Sequence, residues 1–198
     1  MNEETLSKSD EILIGEFKEG KSEAFTELIE RYKFKAVRLA FVTVGNYEDA
    51  KDVSQEAFVK AHRALLTFEM KSKFSTWFYR ILMNTAKDFL RKKKWKKFLT
   101  WKTSEDMENY FQSIEGRQAG PGQNLVNSEL GIKMTEAIKK LPFKQGWVFT
   151  LRYLKGFSIH EISEITEISE GTVKATLHFA VLKFRKEIFP YLQEGREK

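Results

Sequence analysis

Apolar residues recur at intervals of three and four along most of this 198-residue chain, and the recurrence breaks where Gly, Pro or polar clusters fall. That period predicts one helix after another. The most informative stretch runs from Phe74 to Lys94, FSTWFYRILMNTAKDFLRKKK, where Ser75 can serve as an N-cap and neither Gly nor Pro interrupts about five turns. Trp77, Phe78, Ile81, Leu82, Thr85 and Phe89 form its apolar face. Arg80, Asn84, Lys87, Arg91 and Lys94, spaced by four, three, four and three residues, form a second face that is polar and mostly cationic.

Upstream, Ile12, Leu13, Ile14 and Phe17 predict a short opening helix that stops at Gly20. Ser22 can cap a long helix with Phe25, Leu28, Ile29, Tyr32, Ala36 and Leu39 inside, ended by Gly45. Asn46, with Asp49 three residues on, opens the next. Ala50, Val53, Ala57, Ala61 and Leu65 form its inner side, and such small residues imply close helix packing. Asp49, Asp52, Gln55 and Glu56 lie outside, a patch that periodicity alone reads as a solvated face. The loop 66–73, with Phe68, Lys71 and Lys73, leads into the basic helix, a position where ligand contacts tend to collect.

Between about Thr103 and Asn124 the composition turns acidic and rich in Gln, Asn and Gly, which predicts a flexible linker. The expected fold is therefore all-α, with two small helical domains, 1–100 and 125–198, joined by the linker 101–124. In the second, helical periods run up to Pro142 and then to Gly156, and Ser158 with Glu161 is a capping box opening Ile159 to Ile165. A turn through Thr166 to Ser169 precedes a helix starting near Gly171. Val173, Leu177, Ala180 or Val181, and Phe184 face inward there, which leaves Thr172, Lys174, Ala175 and His178 outside. The pattern fits a helix-turn-helix or an ordinary helical hairpin.

Charge is segregated along the chain more than the net of +6 suggests. Residues 1–30 carry nine acids against three bases, net −6, whereas residues 61–102 carry twelve bases against two acids, net +10. A polyanion partner met by the middle of the chain follows. Cations at helical pitch match phosphate spacing, and Asn84 can make the paired hydrogen bonds that read a base edge. A solvated basic face or a membrane-surface helix are the alternatives; Asn84 and Asp88 interrupt the basic face, which disfavours the second. The absence of cysteine excludes disulfides, thiolate metal sites and a Cys nucleophile. His62, His160 and His178 are scattered, and no HExxH spacing, P-loop or nucleophile elbow occurs, so neither a metal, a cofactor nor an enzymatic activity is expected. The polar N-terminus and the lack of a long apolar run predict a cytosolic protein without membrane insertion.

Several segments together resemble the bacterial sigma factors of the extracytoplasmic-function class, in the sigma-70 family. They are Ala50-Lys-Asp-Val-Ser-Gln-Glu-Ala-Phe, Phe74-Ser-Thr-Trp-Phe-Tyr-Arg-Ile, Asn84 with Asp88-Phe-Leu-Arg-Lys, Leu141-Pro, Phe157-Ser-Ile-His-Glu-Ile and Gly171-Thr-Val-Lys. The resemblance covers nearly the whole chain in the family's order. It implies a specificity subunit that binds core RNA polymerase, recognises minus-ten and minus-thirty-five promoter elements and assists melting. It assigns Asp52, Gln55 and Glu56, with Asp49 beside them, to polymerase docking, against the solvated-face reading. Loop residues 66–73, with Phe68, Lys71 and Lys73, would capture a flipped minus-ten base, while Arg80, Asn84, Lys87, Arg91 and Lys94 would contact that element. Gly171, Thr172, Lys174, Ala175, Thr176 and His178 would face the minus-thirty-five element. An anti-sigma factor is implied as a further partner. The other readings are a stand-alone helix-turn-helix regulator and a protein-interaction module whose basic helix binds an acidic protein.

The chain departs from the family pattern at Lys51, where Glu is usual, near Gly146, where Arg is common, and on the last helix, where two arginines are replaced by Thr176 and Phe179. Fewer phosphate contacts imply weak or altered upstream DNA recognition.

Overall fold

The computed structural model describes residues 8–97 and 129–194, with side chains for all of these except 94–97, 129, 130, 132 and 192–194. Every regular element among them is helical. The expected linker, 101–124, lies outside the described residues.

Helix α1 (Asp10–Lys18) is capped by Ser9, whose hydroxyl accepts from the Ile12 amide at 3.4 Å. Arg31 and Tyr32 of α2 (Ser22–Val44) both donate to Asp10 and fix the two helices together. Ser22 does not cap α2. It is the first helical residue, its hydroxyl turns to Glu23, and the cap position falls on extended Lys21 without a side-chain bond. The tight reversal at Gly20, where φ is +95°, moves the helix start by one residue. Gly45 ends α2 in the left-handed conformation with its amide on the Phe41 carbonyl at 2.9 Å, as expected of a glycine at that position.

Asn46 caps α3 (Tyr47–Leu65) by accepting from the Asp49 amide at 2.9 Å. The alanines at 50, 57 and 61 are fully buried, so α3 approaches its neighbours closely. Helix α4 (Phe74–Lys97) lies across α2 and α3. Its Phe78 is sandwiched between Phe58, at 4.6 Å between ring centroids, and Phe74, at 5.8 Å.

In the second half, α5 (Glu129–Lys139) and α6 (Phe143–Phe149) are followed by a π-helical turn at Thr150–Leu154. Helix α7 (Ile159–Thr166) opens with the expected capping box: the Glu161 amide donates to the Ser158 hydroxyl and the Ser158 amide to the Glu161 carboxylate, at 3.1 and 2.9 Å. Glu167 closes α7 at φ +56°, a left-handed position that glycine more often fills. Ser169 then caps α8 (Glu170–Glu194) through the Thr172 amide at 3.2 Å. Helices α7 and α8 with this turn form the helix-turn-helix.

The two halves share one apolar cluster. Phe78, Tyr79 and Leu82 belong to the same buried set as Trp147, Leu151, Ile162, Ile165, Val173 and Leu177. Helix α7 packs on α4, and Phe157 stands edge-on to Tyr79 at 5.5 Å.

Candidate nucleic-acid and polymerase interfaces

The loop before α4 is built from inside. Phe68 is buried and stacks on Trp77 at 4.7 Å between centroids, so its ring is a foundation for the loop and is not presented to solvent. Its carbonyl accepts from the Lys18 ammonium at 2.6 Å. Met70 takes a left-handed φ of +54°, which turns the chain so that Lys71 and Lys73 project outward. A cavity of about 660 Å³ opens here, lined by Met70, Lys71, Lys73 and Thr76 on one side and by His160 and Glu164 of α7 on the other. Thr76 is 2% exposed and its hydroxyl has no hydrogen-bond partner. Replacing Lys18 by Met removes the bond that pins the loop. About 1.5 kcal/mol of local stability should go with it, and amide exchange in residues 66–73 should speed up roughly tenfold while the α3 amides are unaffected. Unchanged exchange in the loop would mean the bond does not hold it.

Along α4 the expected stripe is real in its described part. Asn84, Lys87 and Arg91 are exposed and Arg80 is half-buried. Arg91 pairs with Asp88 one turn back at 3.2 Å, and Arg80 reaches Glu167 of α7 at 3.8 Å. Lys94 lies on α4 outside the residues whose side chains are described. The opposite side of α4 buries Trp77, Phe78, Leu82 and Thr85, as the periodicity requires. Tyr79, Met83 and Ala86 are buried as well.

On α3, Asp52, Gln55 and Glu56 are exposed, with Glu56 paired to Lys60 at 2.9 Å. Asp49 differs. It is half-buried and ion-paired to Lys93, so it ties the start of α3 to the end of α4. Lys51 pairs with Glu48 at 3.0 Å, which holds its ammonium above the usual lysine pKa, and it lies over the Tyr47 ring at 5.5 Å.

On α8, Gly171, Thr172, Lys174, Ala175 and His178 are exposed and Thr176 is half-buried, while Val173, Leu177 and Ala180 point inward. The Thr172 hydroxyl lies 2.9 Å from that of Ser169. Phe179 is 56% exposed, an aromatic ring in solvent beside His178.

An acidic helix face, a basic helix with a loop cavity at its head, and a helix-turn-helix thus occur in this order on one chain. Residues 28–96 match Sigma-70 region 2, and residues 132–184 match Sigma-70, region 4. The ECF RNA polymerase sigma factor SigW of Bacillus subtilis is 35% identical over 177 residues, covering 88% of this chain and 94% of that protein. The chain belongs to the ECF class of the sigma-70 family. The ECF RNA polymerase sigma-E factor of Haemophilus influenzae is 33% identical, with 93% of this chain and 97% of that protein covered. Among solved structures, CnrH in complex with the cytosolic domain of CnrY superposes with a TM-score of 0.64 at 22% identity, covering 92% of this chain and 99% of that one. The sigma factor RpoE of Bartonella quintana, in complex with the anti-sigma factor NepR, gives 0.61 at 20% identity, covering 83% and 96%. These two likenesses establish the shared fold.

The contacts between the halves of this sigma factor were not foreseen. Glu161 of α7 pairs with Lys73 at 2.8 Å, and Lys155 donates to the Lys35 carbonyl at 3.4 Å. Lys139 sits over the Phe41 ring at 3.9 Å and reaches the Gly45 carbonyl. The one available signal was the acidic run at 161, 164 and 167, three residues apart and therefore near one edge of α7.

Proposed function

We propose that this sigma factor docks on core RNA polymerase through Asp52, Gln55 and Glu56, and contacts the minus-ten element with loop 66–73 and the Arg80, Asn84, Lys87, Arg91 and Lys94 stripe. In this reading it meets the minus-thirty-five element with the start of α8. The observation that carries it is the separation of chemistries: an exposed acidic patch on α3 and an exposed basic stripe on α4, held by one core on different helices. A stand-alone DNA reader would have no use for the first. Phe68 supports the loop from beneath, and Lys71 and Lys73 supply its charge. Flipping a base costs a few kcal/mol, which loop contacts and polymerase contacts can offset without any hydrolysis by this chain. Asp49 positions α3 against α4 through Lys93. RNA synthesis is the chemistry of the polymerase, so the sigma factor works without catalytic residues or cofactor, in the cytoplasm. An anti-sigma protein covering these faces is the expected regulator. Among the described residues no helix is long and apolar enough to cross a membrane.

The test is co-migration with purified bacterial core RNA polymerase, followed by run-off transcription on a promoter library. Asp52→Ala/Gln55→Ala should weaken core binding by about tenfold or more, as loss of central interface contacts does, and should leave the fold intact because both side chains are exposed. Wild-type affinity in this variant, or duplex DNA binding with no core binding at all, would favour the stand-alone regulator. On upstream DNA, Lys174→Ala should lower the salt slope of binding by about one, the signature of a single phosphate contact.

A further inference from the structure

Beyond its first turn, α8 turns an apolar face to solvent. Ala175, Phe179 and Leu182 are all exposed, the Phe179 ring at 56% and Leu182 at 51%. At 3.6 residues per turn the three fall within about 60° of the helix circumference and form one ridge. His178 stands edge-on to the Phe179 ring at 5.7 Å between centroids. From Gly171 to Lys186 the chain carries four Lys or Arg and no acid. Lys174 and Arg185 lie on one flank of the ridge and Lys183 on the other, each about 80–100° round the helix from Ala175, and all three are exposed. A helix with its side chains is about 10–12 Å across, close to the width of the major groove, about 12 Å, so the flanking cations can meet the two phosphate rails while the ridge meets base edges. An apolar protein partner would have no use for those cations.

We propose that Phe179, with Ala175 and Leu182 beside it, reads the thymine 5-methyl group: the ridge selects adjacent T·A pairs in the upstream element by apolar contact on the floor of the major groove. This rests on the reading of the start of α8 as the minus-thirty-five face. Every base pair offers hydrogen-bonding atoms in that groove, and thymine alone adds a methyl. A phenyl ring and two aliphatic side chains donate and accept nothing. Over a G·C pair they strip water from guanine O6 and N7 and from cytosine N4 and give nothing in return. Over thymine the buried methyl offsets the same kind of loss. Discrimination therefore comes from the ring, while the flanking cations hold the helix on the backbone without reading sequence. Ala175 to Leu182 spans about 10 Å of helix axis, the length of about three base-pair steps.

The experiment uses the full chain, tagged and mixed with purified bacterial core RNA polymerase. Duplexes that the tagged chain retains are selected from a library randomised upstream of the start site, and their upstream thymines are then replaced one at a time by deoxyuridine, which lacks only the methyl. The wild type should select adjacent T·A pairs and lose about fourfold in affinity for each methyl removed beneath the ridge. Phe179→Ala, with circular dichroism confirming its fold, should bind the thymine duplex more weakly and be indifferent to the replacement. Equal binding of thymine and deoxyuridine duplexes by the wild type overturns the methyl reading, as does a full deoxyuridine loss that persists in Phe179→Ala. Weaker core binding by Phe179→Ala without any deoxyuridine effect assigns the ridge to a protein partner and overturns it too. In each of these cases a salt slope lowered by Lys174→Ala leaves the minus-thirty-five reading standing. If no upstream sequence is selected and Lys174→Ala changes nothing, the methyl reading and the minus-thirty-five reading fall together.

Discussion

Phe78→Ala should cost about 3–5 kcal/mol of folding stability, the usual range for an aromatic ring deleted from a well-packed core. Phe78 has no exposed surface, stacks on Phe58 and Phe74, and stands edge-on to Tyr32 at 5.9 Å. It is where α2, α3 and α4 meet, and none of these helices can shift to fill the void without disturbing another ring pair. A domain of this size is stable by roughly 5–15 kcal/mol, so the variant should be at or near the limit of folding. A urea melt at 25 °C checks it through the midpoint at constant slope. A loss below about 1 kcal/mol would mean that the core relaxes around the cavity far more than close-packed interiors do. Phe78→Leu, which keeps much of the volume, should lose less. Because the polymerase patch lies on α3 and the basic stripe on α4, this ring also fixes the spacing between the two proposed interfaces.

Much of that arrangement could be read from one sequence, for a physical reason. Helical period, caps and stops are local, so the body of α4, the Ser158–Glu161 box, the Asn46 cap and the Gly45 stop appear where the pattern puts them, whereas Ser75, expected to cap α4, lies inside a helix that already begins at Phe74. The outward and inward faces of α8 follow from the same period, as does the exposure of Asp52, Gln55 and Glu56. Period fails where a neighbour from elsewhere in the chain decides burial. Tyr79, Met83 and Ala86 fall outside the stripe that period assigns to the core, and they are buried because α4 is covered on two sides. Phe68 sits in a loop and reads as a ligand contact, yet its ring serves packing. Asp49 reads as part of an exposed patch, and Lys93, forty-four residues away, draws it into an ion pair. Whether α7 lies on α4 is a question of long-range packing, for which the acidic run in α7 was the only local trace.

The contact between the halves carries a built-in opposition at its other edge, and Lys155→Gln should relieve it. Lys155 follows the π-helical turn, donates to the Lys35 carbonyl, and lies beside the cationic Lys35 and Arg38. Burial first, and then Arg38 and Lys35, push its ammonium down to about 8 from the ordinary lysine value of 10.5. The sign follows from the two states. With the halves apart, Lys155 keeps its ordinary pKa and stays charged up to about 10.5; in contact it binds its proton less tightly. Protonation therefore disfavours the contact, fully below pH 8, and decreasingly as pH rises from about 8 to 10.5. Lys73 acts in the opposite direction. Its bond to Glu161 raises its pKa, so that pair survives through the same window. Tyr32 and Tyr79 are pushed above the usual tyrosine range by burial and stay neutral there. At 1.36 kcal/mol per unit the penalty is about 3 kcal/mol, so at pH 7 Lys155→Gln should strengthen the packing of the two halves and slow amide exchange in α7. Gln keeps a donor for the Lys35 carbonyl while removing the charge. In the wild type the contact between the halves, followed by urea melts, should strengthen between pH 8 and 10.5, and the variant should lack that step; identical pH profiles for the two proteins would show that Lys155 does not oppose the contact. The contact between the halves thus rests on the apolar cluster that includes Tyr79, Trp147 and Ile162, and the crowding of Lys155, Lys35 and Arg38 is a local cost within it.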